Sequence, residues 1–197
     1  MFTLLGMGYK YKVVQIGGIT VKGKIILKQG DITHEHVDVI VNAANMKLMG
    51  GGGVDGAIHI AGGPKILEEC KSHIDSYGEC PTGDAVMTTG GDLPSKFVIH
   101  TVGPVWHGGR FGENQLLHDC YTNSLLMADH HNLHSVAFPN ISTGVYGYPK
   151  DEAAQVAIEA VKAYMDSHEG VEEVVFVCYS EDNYKLYEEI LRQNHLI

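Results

Sequence analysis

The chain holds only four cysteines, Cys70, Cys80, Cys120 and Cys178, and no two of them form a C-x-x-C pair. That spacing suggests neither a zinc ribbon nor a disulfide framework, so free thiols are expected. Long apolar runs are missing as well. No segment reaches the ~18 consecutive apolar residues of a membrane span, and the N-terminus lacks an apolar stretch followed by a small-residue cleavage site. A soluble, cytoplasmic protein with no membrane partner is the expectation. Basic residues are outnumbered, 14 Lys and Arg against 24 Asp and Glu, giving a net charge of −10. No basic stripe is visible, which argues against strong nucleic-acid binding by bulk electrostatics. An anionic ligand would have to be held by local backbone dipoles at loops and helix ends. Internal repeats, low-complexity tracts and interdomain linkers are absent too. The 197 residues, 44% of them hydrophobic, are enough for one core, so residues 1–197 are taken as a single domain.

Glycine, by contrast, is plentiful at 24 residues, and four stand in a row at Gly50, Gly51, Gly52 and Gly53. They follow the apolar run 37–41 and precede an apparent helix over 54–61, so the stretch reads as strand, glycine loop, helix. Without a Cβ, successive glycines let main-chain N–H groups converge on one bound group, and the helix that follows favours negative charge at its start. Asp55 and His59, four residues apart, share one helix face, while Asn42 and Asn45 enter from the strand end. Two amides, a carboxylate and an imidazole therefore meet beside an anion cradle.

The remaining chain alternates short apolar segments with longer amphipathic ones. Strands are expected at 9–16, 23–29, 37–41, 85–89, 96–102, 135–138 and 173–179, the first two as a hairpin after a loose start over 1–8. Helices are expected at 64–76, 114–132, 151–167 and 181–193, the first opened by Pro64. This alternation implies a three-layer α/β/α sandwich with a mixed, largely parallel central sheet. In such sheets ligands sit outside the carboxyl ends of the strands, so the loops at Asp31, 42–55, 141–148 and Tyr179 can line one crevice.

Several segments then resemble one family. They are Gly30-Asp-Ile-Thr33, Val39-Ile-Val-Asn-Ala-Ala-Asn45, Gly50-Gly-Gly-Gly-Val-Asp-Gly-Ala-Ile-His59, Cys80-Pro-Thr-Gly83, Val98-Ile-His-Thr-Val-Gly-Pro104 and Ala137-Phe-Pro-Asn-Ile-Ser-Thr-Gly-Val-Tyr-Gly-Tyr-Pro149. In this order and spacing they are similar to the MacroD-type macro domains, most of all the bacterial stand-alone members. The resemblance runs from about Lys24 to the C-terminal helix and leaves residues 1–22 outside. Gly90-Gly91 departs from it, since many members carry Gly-Tyr before the Leu-Pro pair.

The resemblance implies binding of ADP-ribose and metal-independent hydrolysis of its esters, namely O-acetyl-ADP-ribose and mono-ADP-ribosylated Asp or Glu. ADP-ribose, its esters and mono-ADP-ribosylated proteins are the partners it implies, with no cofactor. Asp31 would meet the adenine amino group with the Ile32 N–H nearby, and Tyr179 would face the ring. Gly51, Gly52, Gly53 and Val54 would cradle the diphosphate opposite Ser142, Thr143, Gly144, Val145 and Tyr146. Asn45 would hold the distal ribose beside the catalytic carboxylate Asp55.

His59 is either an imidazole partner of that site or a helix-packing residue, and Asn42 either touches ligand or bridges backbone at the strand end. His100, His107, His130, His131 and His134 fit no helical ligand pair with a carboxylate base and are read as packing and surface residues. Cys80 is read as a structural thiol, and Trp106 as a loop aromatic or a core edge. Two other functions stand beside ester hydrolysis. An ADP-ribose reader without turnover shares every binding feature, whereas a Rossmann dehydrogenase requires a G-x-G-x-x-G spacing that the loop lacks.

Overall fold

A computed structural model describes residues 11–15, by their backbone, and 23–196. The expected loose start over 1–8, the outer residues 9, 10 and 16 of the first expected strand and the connection 17–22 lie outside the described residues. Within them run β1 (Tyr11–Gln15), β2 (Lys24–Gln29), a 3₁₀ turn (Ile32–His34), β3 (Val39–Ala44), α1 (Gly53–Gly62) and α2 (Pro64–Tyr77). Then come β4 (Ala85–Thr89), β5 (Phe97–Val102), α3 (Glu113–His130), β6 (Ser135–Phe138), α4 (Lys150–Ser167), β7 (Glu173–Cys178) and α5 (Glu181–Gln193).

The strands form one sheet in the order β1-β2-β7-β6-β3-β5-β4. β2, β7, β6, β3 and β5 are parallel, and β1 and β4 close the two edges antiparallel. The expected hairpin is the β1–β2 pair. Both faces of the parallel strands are covered, which is why their sequences read as continuous apolar runs. Ile25, Leu27, Val39, Val41, Val174 and Phe176 pack under α3, α4 and α5. Ile26, Ile40, Val98, Val175 and Val177 point the other way, toward α1 and α2. A three-layer α/β/α sandwich results.

The third strand differs from expectation. It was expected over 37–41 and lies at Val39–Ala44: the Asp38 N–H is taken by Ser135 Oγ at 2.8 Å instead of a strand carbonyl, while its side chain accepts from His134 N at 2.9 Å and Ser135 Oγ at 3.1 Å. Asn42, Ala43 and Ala44 pair with His100, Thr101 and Val102, so Asn42 belongs to the sheet and not to the loop after it. Burial alone would raise the Asp38 carboxyl, but the hydrogen bonds from Lys96, His134 and Ser135 outweigh it and hold the pKa at about 2.

Parallel pairing has one consequence for function. The five carboxyl ends leave the sheet on one edge, and the loops after β2, β7, β6, β3 and β5 share it.

Candidate active site

The β3–α1 corner is built from the inside outward. Asn42 has no exposed surface, and its Nδ2 donates to Asp55 Oδ1 at 2.7 Å. The same amide nitrogen faces His100 Nδ1 at 3.0 Å, from the residue directly opposite on β5. His100 Nε2 lies 2.9 Å from Thr88 Oγ1 on β4 and 3.8 Å from Cys70 Sγ on α2. Five side chains from five elements thus interlock beneath the loop. Burial, aided by neighbouring His59 and opposed by Asp55, pushes the His100 pKa down to about 3, so its ring is neutral at ordinary pH. Burial likewise raises the Cys70 thiol to about 12 and the Cys80 thiol to about 11. Neither sulfur is a ready nucleophile.

Asp55 opens the first turn of α1, and Ile58 on the same helix is fully buried under the sheet, which fixes the rotation of α1. His59 follows one turn later, its Nε2 3.4 Å from Asp55 Oδ1. No hydrogen bond of good geometry reaches that nitrogen.

Above the corner lies the glycine loop. Asn45 fastens it twice, accepting from Lys47 N at 3.0 Å through Oδ1 and donating to the Gly50 carbonyl at 3.0 Å through Nδ2. Gly50 and Gly53 take left-handed backbone, φ +80° and +60°, which favours glycine. A Cβ on Gly51 would sit 3.0 Å from Asp55 Oδ2 and 3.7 Å from Asn45 Nδ2, so the Gly51 backbone passes close to both side chains. A Cβ on Gly52 or Gly53 would meet nothing within 4 Å. Gly52 caps α1 without a side-chain hydrogen bond, leaving the first-turn N–H groups turned toward that open space.

A second loop follows β6. Ser142, buried and non-glycine, stands at φ +64°, and its carbonyl accepts from Tyr148 N at 3.0 Å. Gly147 N closes on the Gly144 carbonyl at 3.0 Å. Between them Val145 projects fully into solvent. This loop is braced by the one after β5. Trp106 N donates to the Tyr146 carbonyl at 2.8 Å, and the Trp106 ring packs 4.4 Å from that of Tyr148, which makes Trp106 a core edge.

Glu113 in turn holds the bracing loop. Its buried carboxylate accepts from His107 N at 2.9 Å, Gly109 N at 3.3 Å and Phe111 N at 2.7 Å. Burial opposes its charge, but these N–H groups outweigh burial and keep the carboxyl below its usual range.

Farther along the edge, Asp31 Oδ1 accepts from Thr33 N at 2.9 Å and Thr33 Oγ1 at 2.8 Å, fixing the 3₁₀ turn with Ile32 buried inside it. Tyr179 directly follows β7 and is strongly exposed. Of the expected residues, Asn42 alone has no surface from which to touch a ligand. The histidines divide: His107, His130, His131 and His134 lie on the surface, whereas His100, expected to be only a packing residue, is wired into the corner. Thr88 and Glu113 were missed. The available signals were a polar His100 inside an apolar strand run and an acidic residue directly after the glycine-rich loop 108–112.

Among the described residues, donor atoms of His59, Cys70 and His100 lie within 4.8 Å of one another, a nitrogen and sulfur set of the kind that suits zinc. Both nitrogens of His100 already have partners, Nε2 in Thr88 and Nδ1 in the Asn42 amide.

The chain belongs to the macro domain family, whose pattern matches residues 41–157. It is 56% identical over 172 residues to an O-acetyl-ADP-ribose deacetylase of Escherichia coli, an alignment covering 87% of this chain and 97% of that one. A protein of the same description from Escherichia fergusonii is 55% identical over 172 residues, again 87% of this chain and 97% of that one. Among solved structures, the Oceanobacillus iheyensis macrodomain with ADP superposes at TM-score 0.90 with 41% identity, covering 95% of this chain and 98% of that one. The Trypanosoma brucei macrodomain in complex with ADP-ribose gives 0.78 with 40% identity, covering 85% and 68%.

Proposed function

We propose that this protein hydrolyses ADP-ribosyl esters, O-acetyl-ADP-ribose among them, in the cleft along the carboxyl edge of the sheet. One observation carries the reading. The candidate groups lie along that edge in strand order, Asp31 after β2, Tyr179 after β7, Ser142 to Tyr146 after β6, and Asn45 with Asp55 after β3. An extended ligand crossing the strands would meet an adenine end, a diphosphate clamp and a ribose end in that sequence. The relatives described as deacetylases and the neighbours holding ADP or ADP-ribose support it.

In this reading the second oxygen of Asp31 accepts from the adenine amino group, and Tyr179 covers the ring. The N–H groups of Gly51 to Val54 and of Ser142 to Tyr146 meet the diphosphate from two sides. Prepositioned backbone donors carry this charge without lysine or metal, which suits an acidic protein. The spare hydrogen of Asn45 Nδ2 orients the distal ribose. Asp55 Oδ2 takes a proton from a water that attacks the acyl carbon. As the new C–O bond forms, the bond from acyl carbon to ribose oxygen breaks, and the proton passes to the departing ribose oxygen. The products are a carboxylic acid and ADP-ribose. Esters joining ADP-ribose to Asp or Glu side chains present the same acyl carbon and fall within the same chemistry.

The test is Asp55→Ala. Acetate release from O-acetyl-ADP-ribose should fall roughly 10²–10⁴-fold, the usual contribution of a positioned base, while calorimetry shows ADP-ribose still bound. Wild-type turnover in the variant overturns the role of Asp55, and a wild-type protein that binds ADP-ribose but releases no acetate is a reader.

A further inference from the structure

We propose that His100 is a positioning residue for hydrolysis, held in one neutral tautomer by Thr88 so that it fixes Asn42, and through Asn42 the carboxylate of Asp55. The proposal rests on the catalytic reading of Asp55 given above, and its first measurement does not.

The hydrogen positions follow from the partners one after another. An ionised carboxylate only accepts, so the amide atom of Asn42 at 2.7 Å from Asp55 Oδ1 is the NH₂ group. That same NH₂ lies 3.0 Å from His100 Nδ1, which must therefore accept and carry no hydrogen. A neutral imidazole then bears its hydrogen on Nε2, aimed at Thr88 Oγ1 2.9 Å away. The threonine hydroxyl can accept because its own hydrogen is used, donated to the Thr89 carbonyl at 3.1 Å. The sequence runs from a backbone carbonyl on β4 to the reactive carboxylate on α1, with one consistent set of donors and acceptors. Every link but the last is on a strand, and Asn42 and His100 are register partners across β3 and β5. The sheet therefore sets where the Asn42 amide points, and the amide sets the rotation of the carboxyl group.

The groups facing the ring are known. They are His59 at a centroid distance of 5.9 Å, Cys70 Sγ at 3.8 Å from Nε2, and Asp55 beyond Asn42. Burial and the neighbouring His59 keep the ring from taking a second proton, so the frame survives at any pH where an ester assay is run. A doubly protonated ring would turn Nδ1 into a donor against the Asn42 amide and release Asp55. The tautomer also takes both His100 nitrogens out of the soft-donor set with His59 and Cys70, since Nε2 carries the hydrogen and the Nδ1 lone pair accepts from Asn42.

The experiment uses the full chain, Thr88→Val and Thr88→Ser. Nitrogen-15 correlation spectra of the wild type should show His100 neutral with its hydrogen on Nε2. Thr88→Val removes the acceptor while keeping the shape, so the His100 pattern should shift or broaden. Its kcat should fall roughly 10- to 100-fold, as expected when a reacting group is misplaced by part of an ångström. ADP-ribose affinity, set by the loops, should stay within about twofold of wild type. Thr88→Ser restores the acceptor and should recover both the spectrum and kcat. A hydrogen on Nδ1 in the wild type overturns the proposal, whatever Asp55 does. So does a Thr88→Val protein whose tautomer changes while kcat does not. If Asp55→Ala retains turnover but His100 shows the expected tautomer, the catalytic reading of Asp55 has failed and the wiring stands.

Discussion

The corner beneath the glycine loop and the loop after β6 both stand at the carboxyl edge of the sheet, yet they are made of opposite materials. In the corner, Asn42, Asp55, His100 and Thr88 are buried side chains joined by hydrogen bonds of 2.7–3.0 Å and pinned to the sheet. In the β6 loop Gly144, Val145 and Gly147 are exposed, and the Val145 side chain points into water. Its shape comes from a neighbouring loop, through the Trp106 bond to Tyr146. The contrast separates chemistry from binding. In the proposed function, hydrolysis depends on the orientation of a few side chains, whereas a diphosphate is held by backbone N–H groups that almost any residue supplies.

Acid should break the corner first, and this is the largest effect expected. Folded His100 has a pKa of about 3 against 6.5 for an exposed histidine. Between those values the unfolded chain holds a proton that the folded chain refuses, so lowering the pH favours unfolding. The contribution is fully present above pH 6.5 and drains toward pH 3, at up to about 1.4 kcal/mol per pH unit. Urea midpoints of wild type and His100→Gln across that window check it, the variant giving a flatter dependence. Asp38, depressed to about 2 from 3.8, adds a second loss in the same direction only below pH 3.8.

Next in size is Asn42→Ala, which strands Asp55 Oδ1 and His100 Nδ1. Unpaired buried groups cost about 1–3 kcal/mol each, and misplacement of the carboxylate should slow hydrolysis by up to roughly 100-fold. Thermal melts and kcat should therefore fall together. Glu113→Ala attacks the brace instead. It frees the N–H groups of His107, Gly109 and Phe111, loosens the support of Tyr146, and should weaken ADP-ribose binding roughly 2- to 10-fold with kcat nearly unchanged. Calorimetry beside a saturating rate assay separates the two. Val145→Ala should do least, within about twofold in affinity, because in the proposed function the ligand meets the backbone N–H and not the exposed side chain. A large loss there would erase the distinction between the two regions.

The layers and the order of elements were legible because local pattern determines them. The short apolar runs of β4 and β6 and the stripe of α5 fall on the expected residues. The third strand was legible in type and displaced in position. Hydropathy marks Val37 as a strand residue, but the side-chain bonds of Asp38 to β6 are long-range and leave no local trace. The glycine loop with Asp55 and His59 announced itself through spacing along one helix. His100 did not, since its partner Asn42 lies 58 residues away and only the strand register brings them together. Glu113 escaped for a similar reason. Its role depends on the path of the loop before α3, and an acidic residue at a helix start looks the same whether it serves the helix or the loop.

β3 and β6 are direct neighbours in the sheet, Val39 opposite Val136 and Ile40 opposite Ala137. The loops after β3 and β6 thus spring from neighbouring strands, whose paired stretch has the usual ladder pitch of about 4.8 Å. The sheet acts as a ruler. Side chains in either loop can be exchanged without changing the strand spacing, because that spacing belongs to the backbone ladder. What would change it is an insertion or bulge in β3 or β6, which would alter the width between the walls while leaving each wall chemically intact.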